Sequence, residues 1–215
     1  MNIETALAHL QSLLPLKARQ DQLPATLKAV HRYVLEGLVS QGCPPGAEEL
    51  TALLGEENLD AALQRLGAED LVVLDADNKL PLGAYPLTSE ITPHKISVNG
   101  HRIYAMCALD AVSVAPMFHT DVVIESSCEV SKIPIRIHMS GRDVIDVLPG
   151  VEVTIGIRWH MPSAVAAHSM CMQMVFLKDR RTALSWRRGD QANISLFTLP
   201  EAVAFGEAFF LPLLD

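Results

Sequence analysis

The spacing of apolar residues changes partway along the chain, and this change constrains the fold more than any other feature of the sequence. Residues 24–39, 46–54 and 58–66 repeat apolar side chains at helical spacing. Later segments alternate apolar and polar residues, which is typical of half-buried strands. We therefore predict an α+β fold, with a helical N-terminal module at residues 1–88 and a mostly antiparallel β-sheet domain with flanking helices at residues 89–215.

The N-terminal module has the element order of a winged helix. Its helices are followed by the segment LVVLDADNKLPLGAYPLT, which predicts a strand, a polar turn and a second strand. A winged helix that binds DNA needs cations on its third helix, but here Arg65 accompanies Glu56, Glu57 and Asp60. The formal net charge of −8 also disfavours nucleic acid and anionic lipid as partners. We predict a winged-helix-like packing module that binds neither nucleic acid nor membrane.

Strand patterns dominate the second region. The pair Asn99-Gly100 lies between two apolar runs and predicts a type I′ hairpin. The segments DVVIESSCEV, KIPIRIHMS, GVEVTIGIRWH and NISLFTL predict further strands. Thr198 with Glu201 predicts a capping box for a final helix. RRTALSWRRGD, between the last two predicted strands, is interpreted as a polar segment.

The segment HSMCMQMVFLKD is also predicted to be a strand. Its alternation assigns two faces. One face holds Met170, Met172, Met174 and Phe176, and the other holds Ser169, Cys171 and Gln173. If the methionine face is core, Cys171 points to a cleft or a second layer. The methionines themselves are interpreted as flexible core filler.

The cysteines are widely spaced at Cys43, Cys107, Cys128 and Cys171, and none belongs to a CxxC pair. This spacing disfavours a zinc site or a thioredoxin-like motif. The N-terminal residues read as an amphipathic helix rather than a signal peptide, so we predict a cytoplasmic protein whose thiols stay reduced.

Cys107 and Asp110 are the first candidates for chemistry. If CALD opens a helix, their side chains share a face, and Cys107 lies at the N-terminus, where the helix dipole favours a thiolate. A thiolate beside a carboxylate is a nucleophile and acid–base pair. Two converging thiolates would bind a soft metal ion, but spacing alone does not show that Cys107 and Cys171 meet. A buried, inert cysteine and a solvated aspartate remain the alternative.

The segments HRIYAMCALDAV, SSCEV and HSMCMQMVFL occur in the order and spacing of organomercurial lyases, also called alkylmercury lyases. The stretch Val203-Ala204-Phe205-Gly206 is similar to one near the C-terminus of that family, and the N-terminal helices are similar to its winged-helix module. The chain therefore resembles this family over its whole length, most strongly between residues 98 and 210. It departs from the family at Met106, where tryptophan is frequent, which puts the range of substrates in doubt.

The resemblance implies an enzyme that splits carbon–mercury bonds. Cys107 and Cys171 would capture the organomercurial as thiolates. Asp110 would carry a proton to carbon and could be an additional contact to the metal. The products would be a hydrocarbon and Hg²⁺ held between the two sulfurs. No organic cofactor is implied, and an external thiol or a mercuric reductase would remove the Hg²⁺. Cys128 corresponds to a structural cysteine of the family.

Two other functions stay open from the sequence. One is a cysteine-based sensor of metals or xenobiotics on a winged-helix scaffold, which the acidic third helix disfavours. The other is a divergent member of the family that binds organometals without turnover. Asp110 favours turnover, because a protein that only binds the metal needs no proton carrier.

Overall fold

The computed structural model describes residues 1–163 and 165–215. Its N-terminal region is helical, with α1 (Ile3–Leu13), α2 (Leu16–Asp21), α3 (Ala25–Gln41), α4 (Ala47–Leu54) and α5 (Leu59–Ala68). The side chain of Asn2 caps α1 and that of Asn58 caps α5, each by accepting a backbone N–H. Gly42 ends α3 in the left-handed conformation, as expected of a glycine at a helix C-terminus. None of the described helices is long and apolar enough to cross a membrane.

A large antiparallel sheet follows and has eight strands in the order β1-β2-β3-β5-β4-β6-β7-β8. The strands are β1 (Val73–Leu74), β2 (Pro81–Ala84), β3 (Leu87–Thr88), β4 (His94–Val98), β5 (His101–Ala105), β6 (Asp121–Ser127), β7 (Pro134–Ser140) and β8 (Asp143–Leu148). Asn99 and Gly100 join β4 to β5 with positive φ angles of 49° and 80°. These angles confirm the predicted type I′ hairpin.

Pairing in this sheet crosses the predicted module boundary at residue 88. Leu87 of β3 pairs with Ala105 of β5, and Thr88 pairs with Tyr104. The order α3, α4, α5, β1, β2 is the one that the sequence predicts. The division into residues 1–88 and 89–215 stays a prediction, as does the winged-helix assignment.

Helix α6 (Ala108–Phe118) lies at the centre of the molecule. Its residues from Ala108 to Met117 are all buried, which is typical of a core helix that is apolar all round. The sheet strands β4, β5 and β6 contact α6, and so does α8 (Leu199–Phe210). A Cβ atom at Gly206 of α8 would collide with the Ser113 hydroxyl of α6, so glycine is what allows this close approach.

A second sheet of three strands lies beside the first, in the order β10-β9-β11. It consists of β9 (Thr154–Arg158), β10 (Met174–Leu177) and β11 (Ile194–Thr198), with α7 (Arg180–Arg187) between β10 and β11. Both halves of the predicted capping box at Thr198 and Glu201 are present at the start of α8. The mixed helical and antiparallel architecture confirms the predicted α+β class.

The structure adds a helix to one predicted polar segment and corrects one predicted strand. RRTALSWR is the helix α7, because the Asp179 side chain caps it by accepting the Thr182 N–H, and a largely charged helix gives little apolar periodicity to detect. Residues 166–168 and 171–173 form short 3-10 turns, so the predicted strand begins only at Met174.

Candidate functional site

Cys107 lies between β5 and α6 and is the N-cap residue of the helix. Its sulfur accepts the backbone N–H of Asp110 at 3.3 Å, as the CALD pattern predicts. The side chain is fully buried. The site therefore begins with a thiol whose position is set by its own helix.

Asp110 is buried one turn into α6. Its Oδ2 atom has no hydrogen-bond partner among the residues that the structure describes. Burial raises the pKa of this carboxyl from 3.8 to about 7, although hydrogen bonds with Cys107 partly oppose the shift. A carboxyl with a pKa near neutrality can both accept and return a proton at physiological pH.

Cys171 joins the other two residues from the second 3-10 turn. One ligand atom from each of Cys107, Asp110 and Cys171 lies within 4.8 Å of the others. In the described part of the chain, this is the group of histidine, cysteine and acidic side chains that could hold a metal ion. Two sulfurs and one oxygen suit a soft, thiophilic metal.

The faces predicted around Cys171 were wrong, because the backbone turns there instead of extending. Met172 was placed on the core face, but 62% of its surface is exposed, whereas Met170 and Met174 are buried. A 3-10 turn has three residues per turn, so it brings Cys171 and Met174 to the same side rather than to opposite faces.

Both thiols have raised pKa values, so they stay protonated at physiological pH. Burial raises the pKa of Cys107 well above its usual range, and its hydrogen bond to Cys171 and the charge of Asp110 raise it further. The hydrogen bond from Cys107 lowers the pKa of Cys171, but burial and the charges of Asp110 and Asp70 outweigh it and raise the pKa. The helix N-terminus was expected to favour a Cys107 thiolate, but burial dominates. Loss of these protons must therefore accompany metal binding.

Met174 is a member of the site that the sequence did not identify. The Cys107 thiol donates to the Met174 Sδ atom at a sulfur–sulfur distance of 3.6 Å. Met174 was interpreted as core filler, and its spacing from Cys171 becomes informative only once the 3-10 turn is known. A thioether is a soft donor, so the site contains a third sulfur that could contact a soft metal.

A cavity of about 340 Å³ opens onto the site beside Cys171. Met106, Cys171 and Met174 line it, together with His94 and Phe176. Burial lowers the pKa of His94 to about 4, so this histidine is neutral at physiological pH. Cys107 and Asp110 lie below the cavity wall, so a ligand that enters meets Cys171 first.

The other singled-out residues lie outside this cluster. Cys43 is exposed and Cys128 is buried at the end of β6. His168 lies 3.4 Å from Glu90, whereas the exposed His160 contacts the Arg158 carbonyl. Ser113 donates to the Leu109 carbonyl within α6.

Comparison with known proteins connects this geometry to one family. A model of the alkylmercury lyase family matches residues 87–211, which includes all three residues of the cluster. The alkylmercury lyase of Staphylococcus epidermidis is 26% identical over 151 residues, covering 69% of this chain and 67% of the relative. That of Bacillus cereus is 23% identical over 186 residues, covering 86% and 82%.

A solved structure shares this fold. The mercury-bound form of MerB2 superposes with a TM-score of 0.77 and 21% sequence identity, covering 93% of this chain and 98% of that one. The family match spans more than half of the chain and contains the buried cysteine–aspartate cluster. This chain belongs to the alkylmercury lyase family.

Proposed function

We propose that this protein catalyses the protonolysis of carbon–mercury bonds, with Cys107, Cys171 and Asp110 as the reacting residues. The observation that carries the proposal is the approach of two sulfurs and one carboxyl to within 4.8 Å in a buried site. The names of the relatives support it, since each is an alkylmercury lyase.

Capture begins at the thiol that lines the cavity. An organomercurial R–Hg–X exchanges X for the Cys171 sulfur, and the thiol proton leaves with X as HX. The mercury then accepts the Cys107 sulfur as a second donor, and the proton of that thiol passes to the Asp110 carboxylate. The raised pKa values of both thiols make such a proton acceptor necessary at neutral pH.

Cleavage follows from the same arrangement. Two sulfur donors push electron density onto mercury and weaken its bond to carbon. Asp110 gives its proton to the carbon, which keeps the electron pair of the broken bond and leaves as R–H. Mercury remains Hg²⁺ throughout, bound by two thiolates, so the step needs no oxidant, reductant or organic cofactor.

Release requires a competing thiol, because a buried two-sulfur site holds Hg²⁺ tightly. An external thiol or a mercuric reductase with its own cysteines would take the ion by ligand exchange. Such exchange needs reduced thiols, which suits the cytoplasm. The cavity can accommodate small organomercurials, and Met106 forms part of its wall where the family frequently has tryptophan.

Replacing Asp110 by Ala separates capture from cleavage. Both thiols remain, so Asp110→Ala should still retain an organomercurial, while hydrocarbon release falls about 10²–10⁴-fold because the proton carrier is lost. Cys107→Ala and Cys171→Ala should lose both retention and turnover. The measurement is hydrocarbon release under excess thiol, with mercury retention followed on the same samples.

Two outcomes would contradict the proposal. Turnover of Asp110→Ala within about twofold of wild type would mean that another acid supplies the proton. A wild-type protein that retains mercury without releasing hydrocarbon would be a binding protein instead of a lyase.

A further inference from the structure

The loop that carries Cys171 is held by the N-terminal helical region. Asp70 follows α5 in the left-handed conformation, with φ of 57°. Its Oδ2 atom accepts the Ala166 backbone N–H at 3.2 Å, and its Oδ1 atom accepts the Tyr85 hydroxyl at 3.1 Å. The Tyr85 hydroxyl in turn accepts the Ala167 N–H at 2.7 Å. One carboxylate and one phenol thus bind two consecutive amides of the first 3-10 turn.

This network lies close to the reacting groups. Tyr85 is buried, and burial raises its pKa, with further contributions from the charges of Cys171 and Asp70. The phenol therefore stays neutral and keeps its proton for Asp70. Burial also raises the pKa of Asp70, but the bonds from Ala166 and Tyr85 favour its charged form.

We propose that Asp70 and Tyr85 are positioning residues that hold the 166–171 segment so that the Cys171 sulfur stays within reach of Cys107. The inference rests on the proposed function, because it assigns these residues to mercury capture by the same site. They touch neither the metal nor the substrate, and they act through the backbone of the segment.

The backbone of the segment has no strand ladder to fix it. It consists of 3-10 turns, so the hydrogen bonds to Asp70 and Tyr85 are what tie its amides to the N-terminal region. Two sulfurs bind one metal ion more tightly than either alone only if the second is already near the first. Loosening the segment would lower the effective concentration of the Cys171 sulfur near a bound Hg²⁺ ion. The affinity of the Cys107 sulfur alone for the ion would change little.

The test uses Tyr85→Phe, which keeps the ring and removes both hydrogen bonds of the hydroxyl. The readout is the rate at which excess glutathione strips Hg²⁺ from the loaded full-length protein. Tyr85→Phe should release Hg²⁺ between about tenfold and about 100-fold faster than wild type, the range expected when one reacting group is misplaced. Tyr33→Phe is the matched control, since it removes a hydrogen bond to Glu49 on α4, away from the site, and should release Hg²⁺ at the wild-type rate.

A double-mutant cycle separates positioning from general stability. Cys171→Ala defines the rate for a site with one sulfur. If Tyr85 acts through Cys171, adding Tyr85→Phe to Cys171→Ala should change the release rate by less than about twofold. An equal acceleration in both backgrounds, or a Tyr85→Phe rate equal to wild type, would overturn the proposal. Thermal unfolding of each variant checks that it is folded.

Substitutions at Asp70 separate geometry from charge. Asp70→Asn keeps an acceptor for Ala166 and a polar partner for Tyr85, so it should hold Hg²⁺ within about threefold of wild type. Asp70→Ala removes both contacts and should resemble Tyr85→Phe. Equal losses in Asp70→Asn and Asp70→Ala would contradict a role in positioning the backbone.

The proposed function and this inference can fail separately. Glutathione stripping of Hg²⁺ requires no carbon–mercury cleavage, so it tests the positioning role even if the protein releases no hydrocarbon. Conversely, if the wild type turns over organomercurials while Tyr85→Phe releases Hg²⁺ at the wild-type rate, the protein is a lyase and Tyr85 does not position Cys171.

Discussion

Cys107 and Cys171 meet in one site but lie on segments that are built in different ways. Cys107 caps its own helix through the Asp110 amide, and the rest of α6 is buried between the sheet and α8. Cys171 lies on a 3-10 turn, and the turn before it is fastened by side chains distant in sequence, Asp70 and Tyr85.

The difference has a consequence for function. Cys107 is fully buried at the start of a core helix, whereas Cys171 lines a cavity and long-range hydrogen bonds hold the turn before it. Ligand entry and product exchange should therefore occur on the Cys171 side, and the proton chemistry on the α6 side. Perturbations of the two sides should give different signatures.

The largest expected effect is on the α6 side and concerns stability. The Asp110 carboxyl ionises near 3.8 when unfolded but near 7 when folded, so the native state favours its protonated form. The resulting stabilisation is fully present below pH 3.8 and is lost as pH rises to about 7. Replacing Asp110 by Asn removes this loss, so between pH 4 and pH 8 its stability relative to wild type should rise by on the order of 4 kcal/mol.

Urea unfolding across that pH range measures the effect. Asp179→Asn is a control whose pKa shift has the opposite sign. Hydrogen bonds at the start of α7 lower the pKa of Asp179 to about 2, which lies below this pH range. Its stability relative to wild type should not drift between pH 4 and pH 8. A similar absence of drift in Asp110→Asn would show that folding does not raise the pKa of Asp110.

A related effect should appear in catalysis. Asp110 can accept the Cys107 proton only when ionised, so kcat/KM should fall as pH drops below about 7, by about tenfold per unit. Both thiols have raised pKa values and should not titrate between pH 5 and pH 7. The small residual rate of Asp110→Ala should show no break near pH 7, because the carboxyl that titrates there is absent. A wild-type profile without a break near pH 7 would remove Asp110 as the proton acceptor.

The sequence predicted the α6 side well, because its determinants are local. The spacing of Cys107 and Asp110 is enough to place a capped helix with a carboxyl beside the thiol. The hairpin at Asn99-Gly100 and the capping box at Thr198 were predicted for the same reason, since a few adjacent residues determine each.

The Cys171 side could not be predicted in the same way. Apolar residues alternate from Met170 to Phe176 as in a strand, but residues 171–173 form a 3-10 turn, and the turn before it makes tertiary hydrogen bonds to Asp70 and Tyr85. No local pattern reveals a contact between residues so far apart in the chain. The roles of Tyr85 and Met174 therefore become apparent only from the folded structure.

A smaller effect concerns the packing that holds α6. Replacing Gly206 by Ala would press a methyl group against the Ser113 hydroxyl, and overpacking of this kind costs about 1–3 kcal/mol. Ser113→Ala removes the obstructing oxygen, so the double variant Gly206→Ala/Ser113→Ala should recover more than half of the loss. Thermal or urea unfolding measures this. If Ser113→Ala gives no recovery, the clash lies instead with the backbone of α6.

The smallest expected effect returns to the Cys171 side. Met174 is fixed in the ladder of β10 opposite Ile157, so Met174→Leu should keep its position and volume while replacing the thioether by a hydrocarbon. The Cys107 thiol then loses its acceptor at 3.6 Å, and bound mercury loses a nearby soft donor. Because a thioether is a weak partner beside two thiolates, glutathione should strip Hg²⁺ only about two- to fivefold faster, within the range of one modest hydrogen bond. Met117→Leu, buried on α6 and away from the cavity, should leave the rate unchanged. If Met174→Leu instead accelerates Hg²⁺ release as much as Cys171→Ala does, the thioether is a principal ligand and the site binds mercury through three sulfurs.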